Sequence, residues 1–170
     1  MKLISYQGKS PTVSPKAKIL QGAIITGDVV LKDYVSVWFN AVIRGDMAGV
    51  QIGEFTNIQD NAMIHTNTNK PTLIGNNVTI GHGAIIHACT IGNNALIGIG
   101  SVILDGAVIG DGAMIGAGTI VPPGKVIPSK MLAYGNPMQI TRQLTEAEIN
   151  ANIQNSVNYV VMAKNYPDGE

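Results

Sequence analysis

Residues 91–127 read IGNNALIGIGSVILDGAVIGDGAMIGAGTIVPPGKVI. Every sixth position is aliphatic, from Ile91 through Ile97, Ile103, Ile109, Ile115 and Val121 to Ile127. Three positions beyond the first six of these stand Asn94, Gly100, Gly106, Gly112, Gly118 and Gly124. Glycine and asparagine tolerate a left-handed backbone, so each six-residue unit reads as a short strand closed by a corner. A period of six matches neither the helical repeat of about 3.6 nor a plain alternation of about 2, which excludes a helical bundle and a simple sandwich.

The same phase runs toward the N-terminus through Ile86, Ile80 and Ile74, then Ile64, Ile58 and Ile52, then Ile43, Val37, Leu31, Ile25 and Ile19. Eighteen units result, and Gly, Asn or Asp occupies the corner position in 14 of them. Six residues cannot bury a face alone, but stacked coils share one continuous core. Three units per coil make a triangular prism, so the expectation is an all-β parallel β-helix of about six coils over residues 1–137. Composition agrees: 23 Ile and 15 Val against 8 Leu favour strand, and 20 glycines in 170 residues supply the corners. The strings around Gly81 and Gly83, and Gly116 and Gly118, fall on the repeat and lack the strand–helix setting of a dinucleotide fingerprint.

Two phase breaks predict loops leaving the prism. Three extra residues lie around Met47 to Val50, and four within Thr66 to Thr72. Past Ile127 the repeat ends. Thr145 and Glu148 have capping-box spacing, and Ile149, Ile153, Val157, Val160 and Ala163 recur at helical spacing. Residues 138–170 are therefore expected to add a helix over 146–164, packed on the outside of the prism, and a tail.

A length of 170 residues suits one domain. Eleven basic and eleven acidic side chains cancel, which argues against nucleic acid or an anionic membrane as partner. No apolar run approaches a membrane span, and Met1 to Ser10 carries no apolar leader, so a cytoplasmic protein is expected. The single cysteine, Cys89, excludes an internal disulfide and a paired-cysteine metal site.

Three histidines remain. Ile43, Ile64 and Ile86 are successive occupants of one face, so Arg44, His65 and His87 stack in an outward column. Stacked strands lie about 4.8 Å apart, close enough for two imidazoles to share an ion. His82 follows Ile80 on the preceding face, where a corner turns it away from that column; a neighbouring subunit could supply it, and three such contacts close a three-fold ring. The expectation is a homotrimer with a metal site at each interface. Three histidines with an open fourth position make a bound water acidic enough to attack an electrophilic carbon. Cys89 reads as a corner residue and is not expected as a fourth ligand. Gln59 and Asp60, which follow Ile58, and Asp46 surround the column. For Arg44 and the two aspartates, turn preference and an ion-pair network between subunits account for the residues as well as chemistry does.

Arg44-Gly45-Asp46, Asn57-Ile58-Gln59-Asp60, His65, Gly81-His82-Gly83 and His87 together resemble the γ-class carbonic anhydrase family. The resemblance spans about residues 10–137 and implies a left-handed β-helix and a homotrimer with zinc, or iron or cobalt, at each interface. It implies His65 and His87 as ligands from one subunit and His82 from the next. Gln59 would hydrogen-bond the bound water with Asn57 behind it. Arg44 would pair with Asp46 and Asp60 across the interface, and Tyr159 would be the tyrosine that the family brings near the site from its terminal helix. The implied reaction is reversible hydration of CO2 to bicarbonate. Two departures bear on proton transfer: Met47 stands where the family has a glutamate, and Thr66 to Thr72 contains no acid. A slow anhydrase, a metal-stapled trimeric scaffold and a hexapeptide-repeat acyltransferase using acyl-CoA are the competing readings.

Overall fold

The computed structural model describes residues 1–167, so the end of the expected tail lies outside the described residues. Strand, corner and strand repeat to wind a left-handed parallel β-solenoid with three flat faces. The first face stacks Lys2–Ile4, the opening halves of Ile24–Leu31 and Val42–Ile52, then Met63–His65, Ile85–His87, Val102–Ile103 and Ile120–Val121. The second stacks Thr12–Val13, the closing halves of the same two long strands, Thr72–Ile74, Thr90–Ile91, Val108–Ile109 and Val126–Ile127. The third runs from Lys18–Ile19 through Ser36–Val37, Asn57–Ile58, Thr79–Ile80, Leu96–Ile97 and Met114–Ile115 to Met131–Tyr134, against which Gln139–Gln143 pairs antiparallel. Each face carries seven parallel strands, giving about seven turns rather than the expected six. The surplus turn comes from Lys2–Ile4, which lies outside the six-residue phase, and from Thr12–Val13 and Met131–Tyr134, where Val13 stands six residues before Ile19 and Ala133 six after Ile127; Ala133 takes the core slot opposite Ile115.

One aliphatic residue per unit points inward, and these residues form a single buried column for each face. Corners close where the backbone turns left-handed, at Gly22, Asn40, Asn61, Asn77, Asn94 and the glycines of the regular stretch. Tyr34, Phe55 and Lys130 also adopt this conformation, although side chains of their type disfavour it. Tyr34 and Phe55 sit one coil apart and their rings stack at 4.9 Å, a contact that offsets the strain. At the corner between the second and third faces a ladder links successive coils: Glu54 N–H donates to Asn76 Oδ1, Asn76 N–H to Asn93 Oδ1, and Asn93 N–H to Asp111 Oδ1, at 2.8–2.9 Å.

The first phase break is not a loop. Val42–Ile52 runs as one extended strand round the corner, and its extra residues are absorbed where the pairing shifts from Gly27 opposite Gly45 to Val29 opposite Val50. The second break is a tight excursion in which Asn67 and Lys70 exchange backbone hydrogen bonds. In the five-residue unit after Ile86, Ala88 makes the left-handed corner and Cys89 turns into the core, contrary to the expected corner position. Burial pushes the Cys89 thiol up to about 12, and its place in the core turns it away from the outward histidines.

Helix α1 spans Glu146–Lys164, with the capping box of Thr145 and Glu148 formed. It lies on the third face over Ser36–Val37, Asn57–Ile58 and Thr79–Ile80. Its buried side is Ile149, Asn152, Ser156, Val160 and Ala163. The expected stripe is therefore wrong at Ile153, which is half-buried, and Val157, which is 40% exposed. The cause is the surface beneath: Ser36, Asn57 and Thr79 are polar and buried, so the helix meets them with small or amide side chains. Among the described residues no helix is long and apolar enough to cross a membrane.

Ile97 is fully buried in the core column, so Ile97→Ala is expected to cost about 2–5 kcal/mol in denaturant unfolding. The Glu148 carboxyl is held down to about 2, from an ordinary 4.5, by Arg142 and by the cap residue Thr145. A lowered pKa contributes stability above the ordinary value and loses it as pH falls through the folded one. Thermal unfolding should show Glu148→Gln less stable than the parent at pH 7, with the gap closing between pH 4.5 and about 2.

Candidate metal centre

The register of the first face fixes the two central histidines. Ile64 stacks on Ile86, so His65 is the direct partner of His87 in the next coil. Their rings meet edge-on with centroids 5.1 Å apart, and His65 Nδ1 lies 3.2 Å from His87 Nε2. Two nitrogens bound to one tetrahedral ion at about 2.0–2.1 Å are separated by about 3.3 Å. The apposed pair thus has the spacing of two ligands of one metal.

The outer ring nitrogen of each histidine rests on a carboxylate. His65 Nε2 lies 2.9 Å from Asp46 Oδ1, His87 Nδ1 2.5 Å from Asp105 Oδ1, and His82 Nδ1 2.7 Å from Asp60 Oδ2. A carboxylate there fixes the tautomer and turns the remaining nitrogen outward as a lone-pair donor. Burial works against the charged form of Asp46, but hydrogen bonds from Arg44 and His65 outweigh it and hold the carboxyl below its ordinary range. Asn67 first, and then His87, do the same for Asp105.

Within the chain, Arg44 Nη1 pairs with Asp46 Oδ2 at 2.5 Å and Asp60 with His82; the expected pairing of Arg44 across an interface concerns a partner subunit. His82 stands on the third face, one coil above Asp60 and with its side chain 45% exposed. Among the described residues no three His, Cys, Asp or Glu side chains of the single chain gather into a metal-holding cluster. Asp105 was not singled out from the sequence. Its signal was the column itself: it follows Ile103, which stacks directly on Ile86, but Leu104-Asp105-Gly106 reads as an ordinary turn.

Beside His82 a groove of about 400 Å³ opens between the third face and α1, lined by Gln59, Thr79, His82, Ile99, Asn155 and Tyr159 among others. Gly81 and Gly98 form its floor because coils approach too closely there for a side chain: a Cβ on Gly81 would lie 2.8 Å from the Ile97 carbonyl oxygen. Gln59 Nε2 donates to Asn57 Oδ1 at 3.1 Å, Asn57 Nδ2 donates to Thr79 Oγ1 at 2.9 Å, and Asn155 Nδ2 reaches the same hydroxyl at 3.3 Å. Tyr159, half-buried against Trp38, is pushed above its usual range by burial and then by Asp60.

The sequence profile of the bacterial transferase hexapeptide family (six repeats) matches residues 88–123. A carbonic anhydrase of Geobacillus kaustophilus is 48% identical over 85% of this chain and 79% of its own. Gamma carbonic anhydrase 2 of Arabidopsis thaliana, a mitochondrial protein, is 40% identical over 95% of this chain and 60% of its own. This chain belongs to the γ-class carbonic anhydrase family. Family members use a metal in general, and the nitrogen donors here fit one. A crystal structure of a hexapeptide transferase family protein from Anaplasma phagocytophilum superposes with a TM-score of 0.93 at 42% identity, covering 97% of this chain and 98% of that one. The γ-class fold is thus shared by proteins named after either chemistry.

Asn57 is fully buried and carries both Gln59 and Thr79. Asn57→Ala should cost about 1–3 kcal/mol in urea unfolding, because it strands their buried polar atoms.

Proposed function

We propose that this chain is a zinc-dependent carbonic anhydrase, interconverting CO2 and bicarbonate at sites shared between subunits of a homotrimer. The observation that carries the reading is the carboxylate-backed pair of His65 and His87, with facing nitrogens 3.2 Å apart. Membership of the γ class supports it. His82 of the partner subunit completes the donor set, since His82 lies round a corner from the pair in its own chain. Iron or cobalt suits the same imidazoles.

The surface supports assembly. Val42, Met63, Ile85, Val102 and Ile120 are the outward residues of the histidine face, and Met63 and Ile120 are 43% and 47% exposed. Ile99, 59% exposed, stands beside His82 at the edge of the groove. Docking that edge of one copy on the aliphatic face of the next buries both and closes with three-fold symmetry.

A divalent metal held by three imidazoles lowers the pKa of water toward 7 and so supplies a nucleophile for CO2 at neutral pH. The chain's own groups do the rest. Asp46, Asp60 and Asp105 hold protons at the outer histidine nitrogens and keep the inner ones as donors. Gln59, its amide nitrogen donating to Asn57, presents Oε1 as an acceptor for the hydroxyl of bicarbonate, and Tyr159 walls the groove. Proton exit is the slow step: Met47 is 49% exposed where an acid would serve, and Thr66 to Thr72 has none. Those same two features favour the second reading, a metal-stapled trimer without turnover.

Stopped-flow CO2 hydration on protein of measured metal content tests the proposal. Activity should follow zinc occupancy, rise with buffer concentration and vanish in His65→Ala. Full occupancy with no rate above that variant leaves the stapled trimer; a zinc-free protein that hydrates CO2 equally well refutes both.

A further inference from the structure

Asp46 and Asp60 come from the coil before the histidine they support, and Asp46 is braced by Arg44. Asp105 comes from the coil after His87, and its brace is an insertion. Asn67 Nδ2, from the acid-free excursion after His65, donates to Asp105 Oδ2 at 2.6 Å while Oδ1 faces His87 Nδ1 at 2.5 Å.

Asn67 is itself held at both ends. Its Oδ1 accepts from Thr68 N–H at 2.7 Å, and its backbone exchanges hydrogen bonds with Lys70. The base of the excursion is tied to the first histidine, since Thr72 Oγ1 donates to the His65 carbonyl oxygen at 2.6 Å. It is also tied to the strand beneath, where Ala48 N–H donates to Thr66 Oγ1 at 3.1 Å. On the other side, Gly106 N–H donates to the Ala88 carbonyl oxygen at 2.7 Å, so the corner carrying Asp105 is locked to the corner that follows His87. Hydrogen bonds, joined by the chain through Pro71, thus link the His65 backbone through the excursion to the His87 ring.

We infer that Asn67 and Asp105 form a strap that positions His87 for the metal, and that the 66–72 excursion serves ligand geometry through the Asn67 amide. With a carboxylate on Nδ1, the imidazole keeps its proton there and aims the Nε2 lone pair at the point shared with His65. With one carboxylate oxygen anchored by Asn67, Asp105 cannot swing toward solvent, and the ring loses its rotational freedom. Asn67 and Asp105 are positioning residues, not ligands. The inference rests on the reading of His65 and His87 as metal ligands.

The test is zinc and cobalt affinity, measured by competition with a chelator on the full chain, together with the visible spectrum of the cobalt-loaded protein. Asp105→Ala, Asn67→Ala and the double variant are compared with the parent, with His65→Ala as the variant lacking the site. Oligomeric state is checked for each by size-exclusion chromatography. Asp105→Ala should weaken metal binding about 10–100-fold and shift the cobalt bands. Asn67→Ala should do the same to a smaller extent. The double variant should bind no more weakly than Asp105→Ala, because Asn67 acts through Asp105. Losses that add, or parental affinity and spectra in both single variants, would overturn the strap while the metal site stands. Should Asp105→Ala fail to fold, Asn67→Ala alone decides by affinity and cobalt spectrum. A parent chain that binds no more metal than His65→Ala would instead remove the functional reading, and the strap with it.

Discussion

In-register stacking of Ile43 on Ile64 on Ile86, and of their counterparts on the other two faces, sets the position of every other group in the molecule. Each buried aliphatic side chain fixes the height of its coil, and strand alternation then fixes which neighbour points outward. His65 and His87 meet for no other reason than that they follow stacked isoleucines by one place. The core is continuous over seven turns, so the backbone of no histidine can shift without displacing a column of close-packed side chains. Two imidazoles on such a scaffold face each other by construction.

Around that rigid pair the polar groups are arranged as a shell of carboxylates. Each aspartate is itself braced, by Arg44, by Asn67 or by the ring it supports. The polar third face has a different job. Ser36, Asn57 and Thr79 are buried beneath α1, and the amide chain from Gln59 through Asn57 to Asn155 connects the groove to the helix. The helix is tied to the groove by the Asn155–Thr79 hydrogen bond, whereas the buried Asn152 Nδ2 finds no partner, which is a cost in that contact.

The prism was legible in the sequence because its signal is a side-chain period enforced eighteen times, and the helix bounds because capping is local. What was missed depends on contacts between distant residues. The apolar reading of Ile153 and Val157 assumed a greasy surface below, whereas the third face presents amides and hydroxyls there. Cys89 was misplaced because deletion of one residue shifted the left-handed corner to Ala88. Met47 to Val50 was misread as a loop because three extra residues can also be absorbed by one long bent strand. Asp105 escaped because an aspartate before glycine is ordinary at a corner, and only the stacking of Ile103 on Ile86 brings it to His87.

Whether the metal is shared between chains is tested most directly by complementation between two inactive variants. His82→Ala retains His65 and His87, and the double variant His65→Ala, His87→Ala retains His82; neither homotrimer can hold zinc if every site takes ligands from both sides of an interface. Co-refolding equal amounts should restore one site in each mixed trimer, about a quarter of the parental zinc capacity under random assembly. Mixed trimers that still bind no zinc, or His82→Ala homotrimers that bind it at parental stoichiometry, would contradict the shared site.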